Sequence, residues 1–171
     1  KKEVDTLVPP QYKLDWEALR KAVLKFGMRH STLTAQMPSE SSSVVCNATN
    51  GVEPPRDFLS IKKSKKGTLK QIVPGYPHLK NNYTLLWNMK SMKGYLSIMA
   101  VIQKFFDQAI STNTSYNPQH FDGGEVPAST LIGDLLESYK LGIKTLYYQN
   151  TYDGKGDEEI EVNDLHHEPA S

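Results

Sequence analysis

Residues 128–148 constrain this chain more than any other stretch. Pro127 stands where a helix can start, and Ala128 to Lys140 carries Leu131, Ile132, Leu135, Leu136 and Tyr139 at helical spacing. Gly142 follows, free to take the left-handed backbone that ends a helix. Ile143-Lys144-Thr145-Leu146-Tyr147-Tyr148 then reads as a strand, rich in β-branched and aromatic residues. Helix, glycine cap and strand in that order build an α/β fold with parallel strands. On a regular strand Tyr147 and Tyr148 point to opposite faces, one to a core and one to a partner.

A second informative stretch runs from Ser31 to Gly51. Thr32 to Gln36 alternates as a short strand does. Pro38 forces Met37 out of helical geometry, and Ser39 to Ser43 offers hydroxyls that cap a helix, with Glu40 in its first turn. The helix is expected to run through Val44, Val45 and Ala48 and stop at Asn50-Gly51. Such a helix start, with free N–H groups and a favourable dipole, also suits a phosphate. Capping alone accounts for the serines, so both readings stand at this point.

The remaining elements are less specific. Residues 1–13, with Pro9-Pro10 and no periodicity, read as a linker. Asp15 caps a helix to Phe26 whose Trp16, Leu19, Val23 and Phe26 share a face. Phe58 to Ile61 and Thr68 to Val73 flank Lys65-Lys66-Gly67 as a hairpin, its lysines a solvated tip. Helices are expected from His78 to Asn88 and, strongly apolar and buried, from Gly94 to Ile110. Ser111 to Tyr116 is a strand ended by Asn117-Pro118. Residues 153–171 turn acidic and read as a flexible tail, in which His166-His167 is a weak metal signal. His30 reads as a surface or core residue and Cys46 as a half-buried structural thiol.

Bulk properties set outer bounds. A chain of 171 residues with net charge +1 forms one domain at most and has no charge that argues for nucleic acid or membrane. No apolar run approaches the ~18 residues of a membrane span. One cysteine excludes an internal disulfide and a thiolate metal cluster, which fits a reducing cytoplasm. The start, Lys1-Lys2-Glu3-Val4-Asp5, is neither a signal peptide nor a methionine start, so trimming or processing is expected.

Met37-Pro38-Ser39-Glu40-Ser41-Ser42, with Asn47-Ala48-Thr49-Asn50-Gly51-Val52-Glu53-Pro54-Pro55, resembles the C-terminal part of the class Ia ribonucleotide reductase large (α) subunit. The resemblance extends without gaps from Asp15-Trp16-Glu17-Ala18-Leu19-Arg20 to Tyr147-Tyr148-Gln149-Asn150-Thr151. It implies the later part of a ten-stranded α/β barrel over 14–152, with the hairpin peripheral. Pro38, Ser39, Glu40, Ser41 and Ser42 would hold the diphosphate of a ribonucleoside diphosphate substrate. Tyr147 and Tyr148 would end a radical-transfer path that starts in the metal-containing small (β) subunit, this chain binding no cofactor itself. The tyrosines' phenols keep their protons at neutral pH, so oxidation has to move a proton as well.

The resemblance covers about the last fifth of a large subunit. The radical-forming cysteine and the allosteric, ATP-binding domain lie outside it, and the tail at 153–171 lacks the cysteine pair that the family usually carries to re-reduce the site, so the tail is truncated or reduction is done differently. A partial barrel leaves strand edges and apolar faces uncovered. The chain is therefore expected to need the remaining N-terminal part of the large subunit, as in subunits made in two pieces. If the two tyrosine rings stack, the strand should end or kink between them. The rival reading is a non-catalytic fragment that binds phosphate or the small subunit.

Overall fold

The computed structural model describes residues 3–9, 13–64 and 67–154. In chain order the elements are α1 (Val4–Leu7), α2 (Trp16–Phe26), α3 (Glu40–Val45), β1 (Leu59–Ser64), β2 (Gly67–Ile72), α4 (Lys93–Gln103), β3 (Thr112–Tyr116), α5 (Ala128–Leu141) and β4 (Leu146–Thr151). β1 pairs with β2 and β3 with β4, in two separate two-stranded sheets; the described residues form a mixed α/β structure without a closed barrel. The chain divides into two compact units, the first comprising 1–38, 91–114 and 127–149 and the second 39–90, 115–126 and 150–171.

The first unit is built on α4. Its Tyr95, Leu96, Met99 and Ala100 are buried, and Ala100 packs with Val4 and Leu141 in a core that Val101 and Ile143 complete. Residues 1–13, expected as a linker, thus contribute a buried valine, and Asp5 pairs with Lys104 at 2.6 Å. The α4 helix stops at Gln103 rather than Ile110. The buried Gln103 amide explains the stop: its Nε2 donates to the carbonyls of Phe106 and Gln108, and its Oε1 accepts from Ile110 N. The chain turns around that side chain, so the helical ladder has no reason to continue.

Asp15 caps α2 as expected, its carboxylate accepting from Ala18 N at 2.9 Å. The apolar face of α2 is not buried: Trp16, Leu19 and Phe26 are exposed. The segment Thr32 to Gln36 forms no strand. Asp107 takes its place as partner, accepting from Leu33 N at 2.8 Å and Thr34 N at 3.2 Å, while Thr34 Oγ1 accepts from Asp107 N. A carboxylate that meets two amides does for this segment what a neighbouring strand would have done.

The α5 helix ends as its sequence indicates. Gly142 is left-handed at φ 84°; its N–H reaches Tyr139 O, and Ile143 N reaches Ser138 O, the paired bonds of a Schellman cap. Because Ile143 is used in that cap, β4 starts at Leu146 rather than Ile143. The contacts of β3 with β4 advance together along both strands. Tyr148 N meets Asn113 Oδ1, Asn150 meets Ser115, and Tyr152 N meets Tyr116 O. The strands therefore run parallel and α5 is their crossover, as the helix–glycine–strand order requires.

The second unit holds α3 and the hairpin. β1 and β2 are antiparallel, from Leu59 opposite Ile72 to Ser64 opposite Gly67. The lysine tip at 65–66 lies outside the described residues, as does most of the acidic tail with His166 and His167. The helix expected over His78 to Asn88 is absent; two 3₁₀ turns, Lys80–Asn82 and Leu86–Asn88, flank extended residues. Tertiary partners take the groups a helix would have used. Leu86 N donates to Pro55 O and Asn117 Nδ2 to Trp87 O, and the Tyr83 side chain adds a bond from its hydroxyl to Pro74 O. Phe58 packs on Tyr76 and Tyr83, with ring centroids 5.5 and 6.5 Å away.

Candidate functional site

Pro38 is exposed at the end of the irregular segment and Ser39 is half-buried, with φ −103° and ψ 40° ahead of Glu40. The Ser39 hydroxyl does not cap its own helix. It accepts from Gly51 N at 3.2 Å and donates to Asn50 Oδ1 at 3.4 Å. Asn50-Gly51, expected as the end of the helix, thus folds back on its beginning. The helix itself ends earlier, at Val45. Asn47 takes the left-handed conformation at φ 49°, its N–H reaching Val44 O, and Ala48 N reaches Ser43 O. That is a Schellman cap with asparagine where glycine is commoner.

Within the first turn Ser41 and Ser42 are exposed and Ser43 is buried. Ser42 Oγ donates to Ser39 O at 3.4 Å. Ser39 through Ser42 therefore form a helix start with the Ser41 and Ser42 hydroxyls at its surface. Cys46, expected half-buried, is exposed, because it follows the last helical residue and the chain reverses there. Behind α3 a cleft of about 410 Å³ is lined by Val44 and Asn47 of the helix side and by β2 with its continuation to Tyr76.

Tyr147 and Tyr148 lie in the first unit, on β4. Their ring centroids are 4.3 Å apart with ring planes at 60°. The strand continues unbroken through both residues to Thr151, so it does not end between them. An ideal pleat would send adjacent rings to opposite faces, and the contact requires a local departure from it. Both rings are exposed, at 60% and 59%, so neither serves as core within this chain. The Tyr148 phenol has its pKa raised, first by a side-chain hydrogen bond with Tyr147 and then by the Tyr147 charge. It therefore remains protonated through neutral pH.

Sequence reasoning missed three residues around these segments. Asn113 was legible only as a small polar residue of a strand, yet its Oδ1 accepts from Tyr148 N at 3.0 Å. Lys144, at the entrance to β4, donates to the carbonyl of Asp107 and, at 3.4 Å, to that of Phe106. Gln71 on β2 donates to carbonyls of the α3 turn. Nothing in the spacing of these residues marks them, since each partner is distant in sequence.

A family model described as "Ribonucleotide reductase, barrel domain" matches residues 1–149. The chain belongs to this family. It is 55% identical to the ribonucleoside-diphosphate reductase subunit alpha of Haemophilus influenzae over 164 residues, 96% of this chain and 22% of that protein. It is 54% identical to the ribonucleoside-diphosphate reductase 1 subunit alpha of Escherichia coli over 157 residues, 92% of this chain and 21% of that protein. The subunit alpha of Enterobacteria phage T4 is 45% identical over 163 residues, 94% of this chain and 22% of that protein. The chain thus spans about a fifth of the length of the relatives it matches. Membership in this barrel family accounts for the parallel β3–α5–β4 unit. Among the described residues no cluster of histidine, cysteine and carboxylate side chains could hold a metal, and no helix is long and apolar enough to cross a membrane.

Proposed function

We propose that this chain forms the C-terminal part of the barrel of a ribonucleoside-diphosphate reductase large subunit, and that the assembled enzyme reduces ribonucleotides to deoxyribonucleotides. The remainder of the barrel, with the cysteines of the chemistry, is supplied outside these residues. Ser39, Glu40, Ser41 and Ser42, following Pro38, hold the substrate diphosphate. Two features support that role: the turn presents exposed hydroxyls at a helix start, and the short helix is braced from outside its own sequence. Tyr147 and Tyr148 relay an oxidising equivalent that a metal-containing small subunit supplies.

The observation that carries the reading is the contact of the two tyrosine rings at 4.3 Å. A phenol is oxidised by losing an electron together with its hydroxyl proton, so the first ring gives both to the oxidant of the small subunit and becomes a tyrosyl radical. The neighbouring phenol then gives up its own electron and hydroxyl proton, and the first is restored. Contact keeps both transfers short. Phenylalanine keeps the ring but has no phenol to oxidise. Tyr147→Phe and Tyr148→Phe are each expected to abolish turnover of the assembled enzyme, while native mass shows the complex intact. Turnover that survives either change overturns the relay. A monodisperse folded monomer with no companion would leave the rival reading, a fragment that binds phosphate or the small subunit without catalysis.

A further inference from the structure

We infer that Gln71 of the hairpin is a positioning residue for the diphosphate turn, and this inference rests on the reading of Ser39 to Ser42 given above. The α3 helix has six residues, too few to be stable by its own hydrogen bonds. Its place is set by what holds its two ends. At the first end the Ser39 hydroxyl is bound to Asn50 and Gly51. At the second, the Gln71 amide donates to Ser43 O at 3.4 Å and to Ala48 O at 3.0 Å.

Two features make the second tie important. The carbonyls it meets lie where the helix ends, where the dipole is negative and a donor is favoured. A cleft of about 410 Å³ is lined by Val44 and Asn47 on the helix side and by β2, so the Gln71 amide spans from the strand to the helix beside open space. The hairpin strand therefore holds the back of the turn through one amide group that meets two carbonyls. The glutamine amide nitrogen carries two N–H donors, one for each carbonyl. A hairpin read from sequence as peripheral thus becomes a brace for the substrate site.

The test uses the assembled reductase that contains this chain, with a ribonucleoside diphosphate as the varied substrate. Gln71→Met keeps the length and removes the donors. It is expected to raise KM about fivefold, more than it lowers kcat. Gln71→Lys restores a donor of similar reach and should return KM to within twofold of the parent. A Gln71→Met enzyme with a lowered thermal midpoint and an unaltered KM would overturn the inference, as would failure of the lysine to rescue a raised KM. The double change Ser39→Ala with Ser41→Ala separates the two levels. If it leaves KM unaltered, the diphosphate reading itself fails; if it raises KM while Gln71→Met does not, only the role of Gln71 fails.

Discussion

At the scale of single residues, Asp107 shows how one side chain replaces a missing strand. Its carboxylate is held below the usual range first by the Leu33 N–H, then by Thr34, with the Lys144 charge adding to it. A carboxyl with a depressed folded pKa contributes stability that is fully present above the ordinary value of ~3.9 and is lost as pH falls through the lower folded value. The Leu33 and Thr34 amides are therefore expected to stay protected from hydrogen exchange at pH 5 and to lose protection only below ~4. Asp107→Asn keeps an acceptor but cannot titrate, so it should flatten that dependence. Equal pH dependence in both proteins would show that another group is responsible.

At the scale of elements, α3 and α5 stop at caps of one kind. In α3 an asparagine takes the left-handed position and in α5 a glycine does. Gly142 was legible because only glycine is freely left-handed; Asn47 was not, because Asn50-Gly51 three residues on is the stronger signal and was used for another purpose. Gly142→Ala puts a Cβ on a residue at φ 84° and should cost about 1 kcal/mol, read as a lowered thermal midpoint. It should also loosen the connection at residues 143–145 that leads into β4.

The α5 helix shows an inversion at the same scale. Asp134 and Ser138 are buried with Leu141, whereas Ile132, Leu135, Leu136 and Tyr139 are exposed. Ser138 Oγ satisfies itself on Asp134 O at 2.7 Å, which makes its burial tolerable. The stripe at i, i+3, i+4 and i+7 is the one the sequence marks as core-facing. Among the described residues nothing covers it.

At the scale of the whole molecule, uncovered apolar faces recur. Trp16, Leu19 and Phe26 on α2 repeat what α5 shows. Exposed apolar surface of this kind is seldom left to water. A barrel in which these residues form one part would bury such helix faces against neighbouring elements, in keeping with a chain that spans a fifth of its relatives' length. On the proposed reading, Leu135→Asp with Leu136→Asp is expected to weaken assembly with the remainder of a large subunit at least tenfold, measured by native mass, since it sets two charges into a surface that would dehydrate. Unimpaired assembly would place the α5 stripe outside that interface.

By itself the sequence determined what local chemistry can determine. Turn residues, caps and periodicity specified α2, the hairpin, β3, α5 with its glycine, and β4, because each depends on residues within a few positions of one another. Local resemblance marked Ser39 to Ser42 and the tyrosine pair. The tertiary structure decided the rest. It broke the helix expected over 78–88, ended α4 at a buried glutamine, and replaced a strand at 32–36 with Asp107. It also brought Gln71 to α3 and Asn113 to Tyr148. The reason is common to all: backbone groups accept whichever partner the fold brings within reach, and partners tens of residues away leave no mark in the local pattern.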